Sequence, residues 1–158
     1  MHGLKIRKAV PEDSESISNL ICDLVEKFIA GDFSSRGRDY LLNTMTAEAI
    51  SQKIQTGYRY HVAEANGTLT GVVAVRDNNH LYHLFVAEQF QRKGIAKKLW
   101  QFAMKKCLSK GNTGEFTVNS SAYALDVYKK LGFVAQLGPK VKNGVVFYPM
   151  KLVIQSQS

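Results

Sequence analysis

Leu81 to Lys110 reads LYHLFVAEQFQRKGIAKKLWQFAMKKCLSK, and its passage from an apolar run through a polar loop into an amphipathic segment decides the fold. Leu81, Leu84, Phe85 and Val86 make a compact strand-like run before Gln91-Arg92-Lys93-Gly94-Ile95-Ala96. Beyond the loop, Ile95, Leu99, Phe102, Ala103 and Cys107 recur at helical spacing, with Lys97, Lys98, Lys105 and Lys106 mostly on the other side. A strand feeding a helix in this way aims the helix's first free amides and its positive dipole end at one point. That suits an anion, and a diphosphate above all. Gly94 would let a large ligand approach the backbone, where a Cβ would collide with it. Shape alone leaves open an ordinary β–α connection whose basic residues are merely solvated.

The wording of the loop separates the two. Gln91-Arg92-Lys93-Gly94-Ile95-Ala96 fits Q/R-x-x-G-x-G/A and resembles the signature of the GCN5-related N-acetyltransferases (the GNAT family), with Ala96 where many members have Gly. Leu84-Phe85-Val86 is similar to the end of that family's fourth strand. A second stretch carries Asn119, Ala122, Ala124, Tyr128, Gly132 and Phe133, and resembles the family's later signature at the expected separation and in the expected order. Gly132 would end a helix there and Phe133 enter the next strand.

The resemblance covers nearly the whole chain and implies an α/β fold (α+β by some schemes). This is the GNAT fold, a mixed, mostly antiparallel sheet of six to seven strands with helices on both faces, splayed between the fourth and fifth strands. It implies acetyl-coenzyme A (acetyl-CoA) as co-substrate and no metal. Leu84, Phe85, Val86, Gln91, Arg92, Lys93, Gly94, Ile95, Ala96 and Lys97 would hold the cofactor from one side, and Asn119, Ala122, Ala124 and Tyr128 from the other. Tyr128 falls where many members place a tyrosine beside the sulfur, which makes its hydroxyl the expected general acid. His80 lies six residues before Val86, at an offset where some members place the base, and histidine has a suitable ordinary pKa. A backbone N–H near Val86 would polarise the carbonyl. Neither cysteine falls where an acyl-enzyme would need it, so direct attack by the amine in a ternary complex is expected. The alternative is a non-catalytic acyl-CoA-binding sensor or structural relative on the same scaffold, since fold does not guarantee activity.

The rest of the chain agrees with this outline. Its 158 residues amount to one domain, 1–158, with 45% apolar and 22% charged residues and no internal repeat. No apolar run could cross a bilayer, so no membrane partner and a cytoplasmic location are expected. Cys22 and Cys107 form no metal-binding or CxxC pattern and read as reduced core residues. The formal charge of +8 invites a nucleic-acid reading, but no zinc-finger, RNP or helix-turn-helix wording accompanies it. A polyanionic cofactor accounts for part of that charge.

Leu4 to Ala9 alternates as a first strand, and Pro11-Glu12-Asp13 opens a helix striped by Ile17, Leu20, Ile21, Leu24, Val25 and Phe28. Gly31 to Arg38 reads as a loop, and Thr46 caps a short helix to Ile54. Asn66-Gly67 joins Tyr58–Ala65 to Thr68–Arg76 as a type I′ hairpin, and Asp77-Asn78-Asn79 turns the chain into His80–Val86. Glu115 to Asn119 is the fifth strand, parallel to the fourth through a right-handed crossover. Alternation puts His80, Tyr82, Leu84 and Val86 on one face and His83 and Phe85 on the other, unless a bulge exchanges them. Val134–Leu137 and Val145–Val153 would be strands six and seven around a 138–144 loop. Edge strands near the C-terminus could pair in a homodimer. The amine acceptor is not written in the sequence, although the basic balance disfavours a polycation, which would want a carboxylate-lined site.

Overall fold

Turns written into the sequence lay down the first half of the sheet in the computed structural model, which describes residues 3–154. Strands β1 (Leu4–Lys8), β2 (Arg59–Ala65), β3 (Thr68–Arg76) and β4 (His80–Val86) form an antiparallel meander. Asn66 and Gly67 sit at φ 52° and 79°, the pair of positive values a type I′ turn requires. Helix α4 (Ile95–Ser109) then crosses over to β5 (Glu115–Ser120), which lies parallel to β4. The order is β1-β2-β3-β4-β5-β8-β6, with β6 at Val134–Ala135, β8 at Val145–Val153 and β7 (Lys140–Lys142) paired to β8 outside this path.

The sheet therefore has eight strands, one more than the sequence suggested. The extra strand, β7, lies inside the expected 138–144 loop and forms a hairpin with β8 through Asn143-Gly144, at φ 54° and 77°. It is the same Asn-Gly signal that marks the β2–β3 turn.

Each face carries a core. On one side α4 and α5 (Leu125–Lys130) bury Leu81, Val86, Leu99, Trp100, Phe116 and Tyr128. On the other, α1 (Ser14–Leu24), α2 (Ser35–Asn43) and α3 (Ala47–Gln55) cover Ile17, Ile21, Ile50, Tyr60 and Val72. Trp100, not Phe102, anchors α4, packing edge-on to Phe116 at 5.1 Å while Phe102 stays 39% exposed. After α1 the backbone widens into a π-helical turn, Val25–Ile29, which shifts the phase of the stripe. Phe28 swings outward and Ile29 takes the inward place. Residues 35–43, half of them expected as loop, form α2 because Ser34 caps it, its hydroxyl accepting from the Gly37 N–H at 3.1 Å. Thr46 caps α3 in the same way through Ala49, also at 3.1 Å.

Gly37 lets α2 touch the β7–β8 turn, for a Cβ there would lie 1.9 Å from the Gly144 carbonyl oxygen. Helix propensity alone would make Gly37→Ala stabilising by about 1 kcal/mol. The collision is with backbone, so the substitution is expected to destabilise by about 1–3 kcal/mol instead. Urea unfolding reads the sign, and a stabilised variant would show that the contact is soft.

Candidate active site

β4 and β5 pair only at His80 with Thr117 and Leu81 with Val118. Beyond Leu81 the edge of Tyr82–Val86 that faces β5 has no strand partner, and the sheet splits. The other end is fastened. Thr117 donates its N–H to the Asn79 carbonyl (3.0 Å), and the Asn78 side-chain amide donates to the carbonyls of Cys107 and Lys110 (3.2 Å each). Asn112 likewise donates to the carbonyls of Asn78 (2.8 Å) and Glu115 (3.1 Å). The gap thus opens only toward the loop before α4. It forms a cleft of about 890 Å³, toward the upper end of the range for small-molecule sites.

The loop at its mouth is shaped by two left-handed residues, Arg92 at φ 64° and Gly94 at φ 80°. A Cβ on Gly94 would meet no protein atom within 4 Å, so the position is constrained by its backbone angle and borders open space. Among the described residues, the amides of Gly94, Ile95, Ala96 and Lys97 have no protein acceptor. Four free donors at the positive end of a fifteen-residue helix form a cradle for an anion. Arg92, Lys97 and Lys130 line the same cleft.

Tyr128 reaches the cleft from α5 with its ring edge-on to Phe133 at 5.8 Å and only 7% exposed. Burial pushes its hydroxyl pKa above the ordinary 10, so it holds its proton at neutral pH. His80 lines the cleft at the closed end of the split, its Nδ1 2.7 Å from the Thr117 hydroxyl. Burial, with Arg76 beside it, lowers its pKa to about 4 and keeps the ring neutral. If Nδ1–H donates to Thr117, Nε2 is left as a proton acceptor.

Leu84, Phe85, Val86, Gln91, Arg92, Gly94, Ile95, Ala96 and Lys97 line the cleft, as do Asn119, Ala124, Tyr128 and His80. Two residues expected among them stay outside that lining. The Lys93 ammonium lies over the Phe90 ring at 5.9 Å, and Ala122 sits in the turn after β5. The strand faces also differ from simple alternation. A register shift between Ala74 and Val75 makes Tyr82 an extra residue of β4, so Tyr82 and His83 both turn toward the α1 side. The bulge carries His80 and Tyr82 to the face that already held His83 and Phe85, and His83, 3% exposed and with Nε2 unpartnered, lines the cleft as His80 does. The sequence held no sign of which residue would bulge.

Sequence reasoning also missed a bridge across the mouth. Phe28 from the π-turn stacks on Tyr123 at 4.9 Å, and the Tyr123 hydroxyl donates to Gln91 Oε1 at 3.2 Å. Gln91 Nε2 donates in turn to the Val86 carbonyl at 2.9 Å. Among the described residues no group of three or more His, Cys, Asp or Glu could hold a metal ion, and no helix is long and apolar enough to cross a membrane.

Residues 29–154 match the acetyltransferase (GNAT) domain, and the chain belongs to that family. No curated protein sequence matches it. Among solved structures it is similar to a GCN5-related N-acetyltransferase from Rhodopseudomonas palustris, with TM-score 0.82 and 18% identity over 98% of both chains. It is also similar to the PaiA N-acetyltransferase from Thermoplasma acidophilum in complex with coenzyme A, with TM-score 0.80 and 21% identity over 96% of this chain and 99% of that one. The yncA structure from Salmonella typhimurium, solved with its cofactor acetyl-CoA, superposes at TM-score 0.67 with 21% identity over 98% and 96%. At these identities the likeness concerns the fold.

Proposed function

We propose that the chain is an N-acetyltransferase that moves the acetyl group of acetyl-CoA to a primary amine of a small molecule or peptide, by direct attack in a ternary complex. The observation that carries this reading is the free amides of Gly94 to Lys97 at the open end of a split sheet, with the Tyr128 hydroxyl lining the same cleft. Coenzyme A complexes of structural relatives support the choice of cofactor.

The loop amides, with Arg92 and Lys97, would hold the diphosphate, and the unpaired edge of β4 with Asn119 and Ala124 would receive the pantetheine arm. Burial does for the chemistry what water would undo. It keeps Tyr128 protonated until the leaving thiolate needs a proton, and keeps His80 neutral so that it can receive one from the amine. A base with a pKa near 4 is weak but wholly unprotonated at neutral pH, so activity depends on the acceptor amine shedding its own proton.

Thiol release from acetyl-CoA with a panel of amines tests the reading, and tight cofactor binding without turnover would point to a sensor. Gly94→Val adds a β-branched side chain at a left-handed position that borders the ligand. It is expected to weaken acetyl-CoA binding by about tenfold or more in calorimetry. Unchanged affinity would remove this loop from cofactor binding.

A further inference from the structure

We propose that the acceptor is a free α-amino acid with an aromatic or large aliphatic side chain, a deepening that rests on the acetyltransferase reading above. Four observations lead there.

The first is charge. No Asp or Glu lines the cleft among the described residues, while Arg76, Arg92, Lys97, Lys130 and Lys142 do. A polyamine or aminoglycoside would bring several ammonium groups into a site with no carboxylate to receive them. A molecule with one amine and one carboxylate meets no such penalty.

The second is the apolar lining. Ile29, Phe33, Tyr40, Tyr82, Phe85 and Phe147 line the cleft, and His80 and His83, which line it too, are neutral. Such a chamber gains most from an apolar body, at about 25 cal/mol per Å² removed from water.

The third is closure. Helix α2 contributes Tyr40 and Leu41 to the lining, and the β7–β8 hairpin contributes Lys142 and Val145. The two elements meet backbone to backbone at Gly37 and Gly144, which closes the cleft between them and leaves less room for a chain continuing past the acceptor amine. That favours a free small molecule over a protein terminus.

The fourth is spacing. Arg76 on β3 pairs in register with His80 on β4, and its charge acts on the His80 ring, partly offset by that of Asp77. A carboxylate on Arg76 would place an amine one carbon away beside His80. Arg76 now holds Asp77 at 2.9 Å, but that pair is exposed and worth about 0–1 kcal/mol, so an incoming carboxylate can replace it.

In the reaction the amine lone pair attacks the thioester carbon, forming C–N as C–S breaks. Tyr128 gives its proton to the departing thiolate, His80 takes the surplus proton from nitrogen, and exchange with solvent returns a proton to Tyr128 and removes the one on His80. The products are an N-acetyl amino acid and coenzyme A.

The test measures coenzyme A release, with product mass, for L-phenylalanine, L-leucine, phenethylamine, a phenylalanine-initiated tripeptide and spermidine, in wild type and Arg76→Gln. Acetyl-CoA binding is measured by calorimetry on the same samples. Phenylalanine or leucine is expected to exceed spermidine and the tripeptide in kcat/KM by about 100-fold or more. Arg76→Gln is expected to lower kcat/KM for phenylalanine at least about tenfold more than for phenethylamine, which has no carboxylate. Preference for spermidine or the tripeptide, with acetyl-CoA bound, overturns the acceptor class and leaves the acetyltransferase reading standing. Equal losses on phenylalanine and phenethylamine overturn the role of Arg76 and with it the carboxylate. No binding of acetyl-CoA, or binding without turnover of any amine, overturns both.

Discussion

Tyr128→Phe is expected to lower kcat by about 100-fold or more and to leave the Kd for acetyl-CoA within about twofold. The substitution keeps the ring, and with it the edge-on contact to Phe133 and the place of residue 128 in the α4-side core. Among the described residues the hydroxyl has no protein hydrogen-bond partner, so its loss leaves no buried group orphaned and the fold should be nearly indifferent. What disappears is a proton held ready in a cleft where bulk water is a poor substitute. Single-turnover kinetics with saturating cofactor separates the chemical step from binding. A variant with unchanged kcat would mean that the thiolate leaves unprotonated or takes its proton from solvent.

The second large effect is a loss of stability in mild acid. His61, His80 and His83 are all buried, and burial holds their pKa values at about 4, about 4 and about 3, below the ordinary 6.5. Between pH 6.5 and 4 the unfolded chain therefore binds protons that the folded chain refuses. Stability is complete above pH 6.5 and declines as pH falls toward the folded values, by about 1.4 kcal/mol per pH unit for each histidine fully protonated only in the unfolded state. Three such groups could remove most of the roughly 5–15 kcal/mol that holds an ordinary domain together. Asp13 also has its pKa lowered, by the Arg7 guanidinium, but the stability this gives is lost only as pH falls below the ordinary carboxylate value, outside this window. Urea midpoints measured from pH 7 to 4.5 should fall steadily. His61→Leu, which replaces a ring packed on Phe102 whose Nδ1 has no partner, should shed about one proton's worth of slope. A flat profile would show that the histidines titrate normally in the folded state.

Local chemistry made much of this architecture readable. Asn66-Gly67, the Thr46 cap and the apolar run into a Gly-bearing loop are short-range signals, and each appears in the structure where the residues place it. The two signature stretches lie on facing sides of one cleft because the crossover through α4 makes β4 and β5 neighbours. What escaped depended on events between elements. The extra residue at Tyr82 is a matter of β3–β4 register, and it moves His80 and Tyr82 off the face that strict alternation gives them. The π-turn at Val25–Ile29 changes the phase of a helix whose residues look regular, exposing Phe28 to meet Tyr123. Helix α2 rests on a serine cap and a glycine contact, neither of which carries apolar periodicity. The lining proposed for the acceptor is assembled from the π-turn and the segment after it, α2, β4 and β8, so no single stretch could announce it.

The asparagine fastening of β4 to β5 has a mechanical consequence. Only two residue pairs of ladder join strands β1–β4 to β5–β8, and both lie at the end fastened by Asn78 and Asn112. A ligand with amide groups of its own, lying along the bare edge of Tyr82–Val86, supplies the rungs those strands omit. If the proposed cofactor binds there, occupancy and cross-sheet cohesion become one event, and the midpoint of thermal unfolding is expected to climb with cofactor concentration as a guest fills the missing part of its host's own sheet.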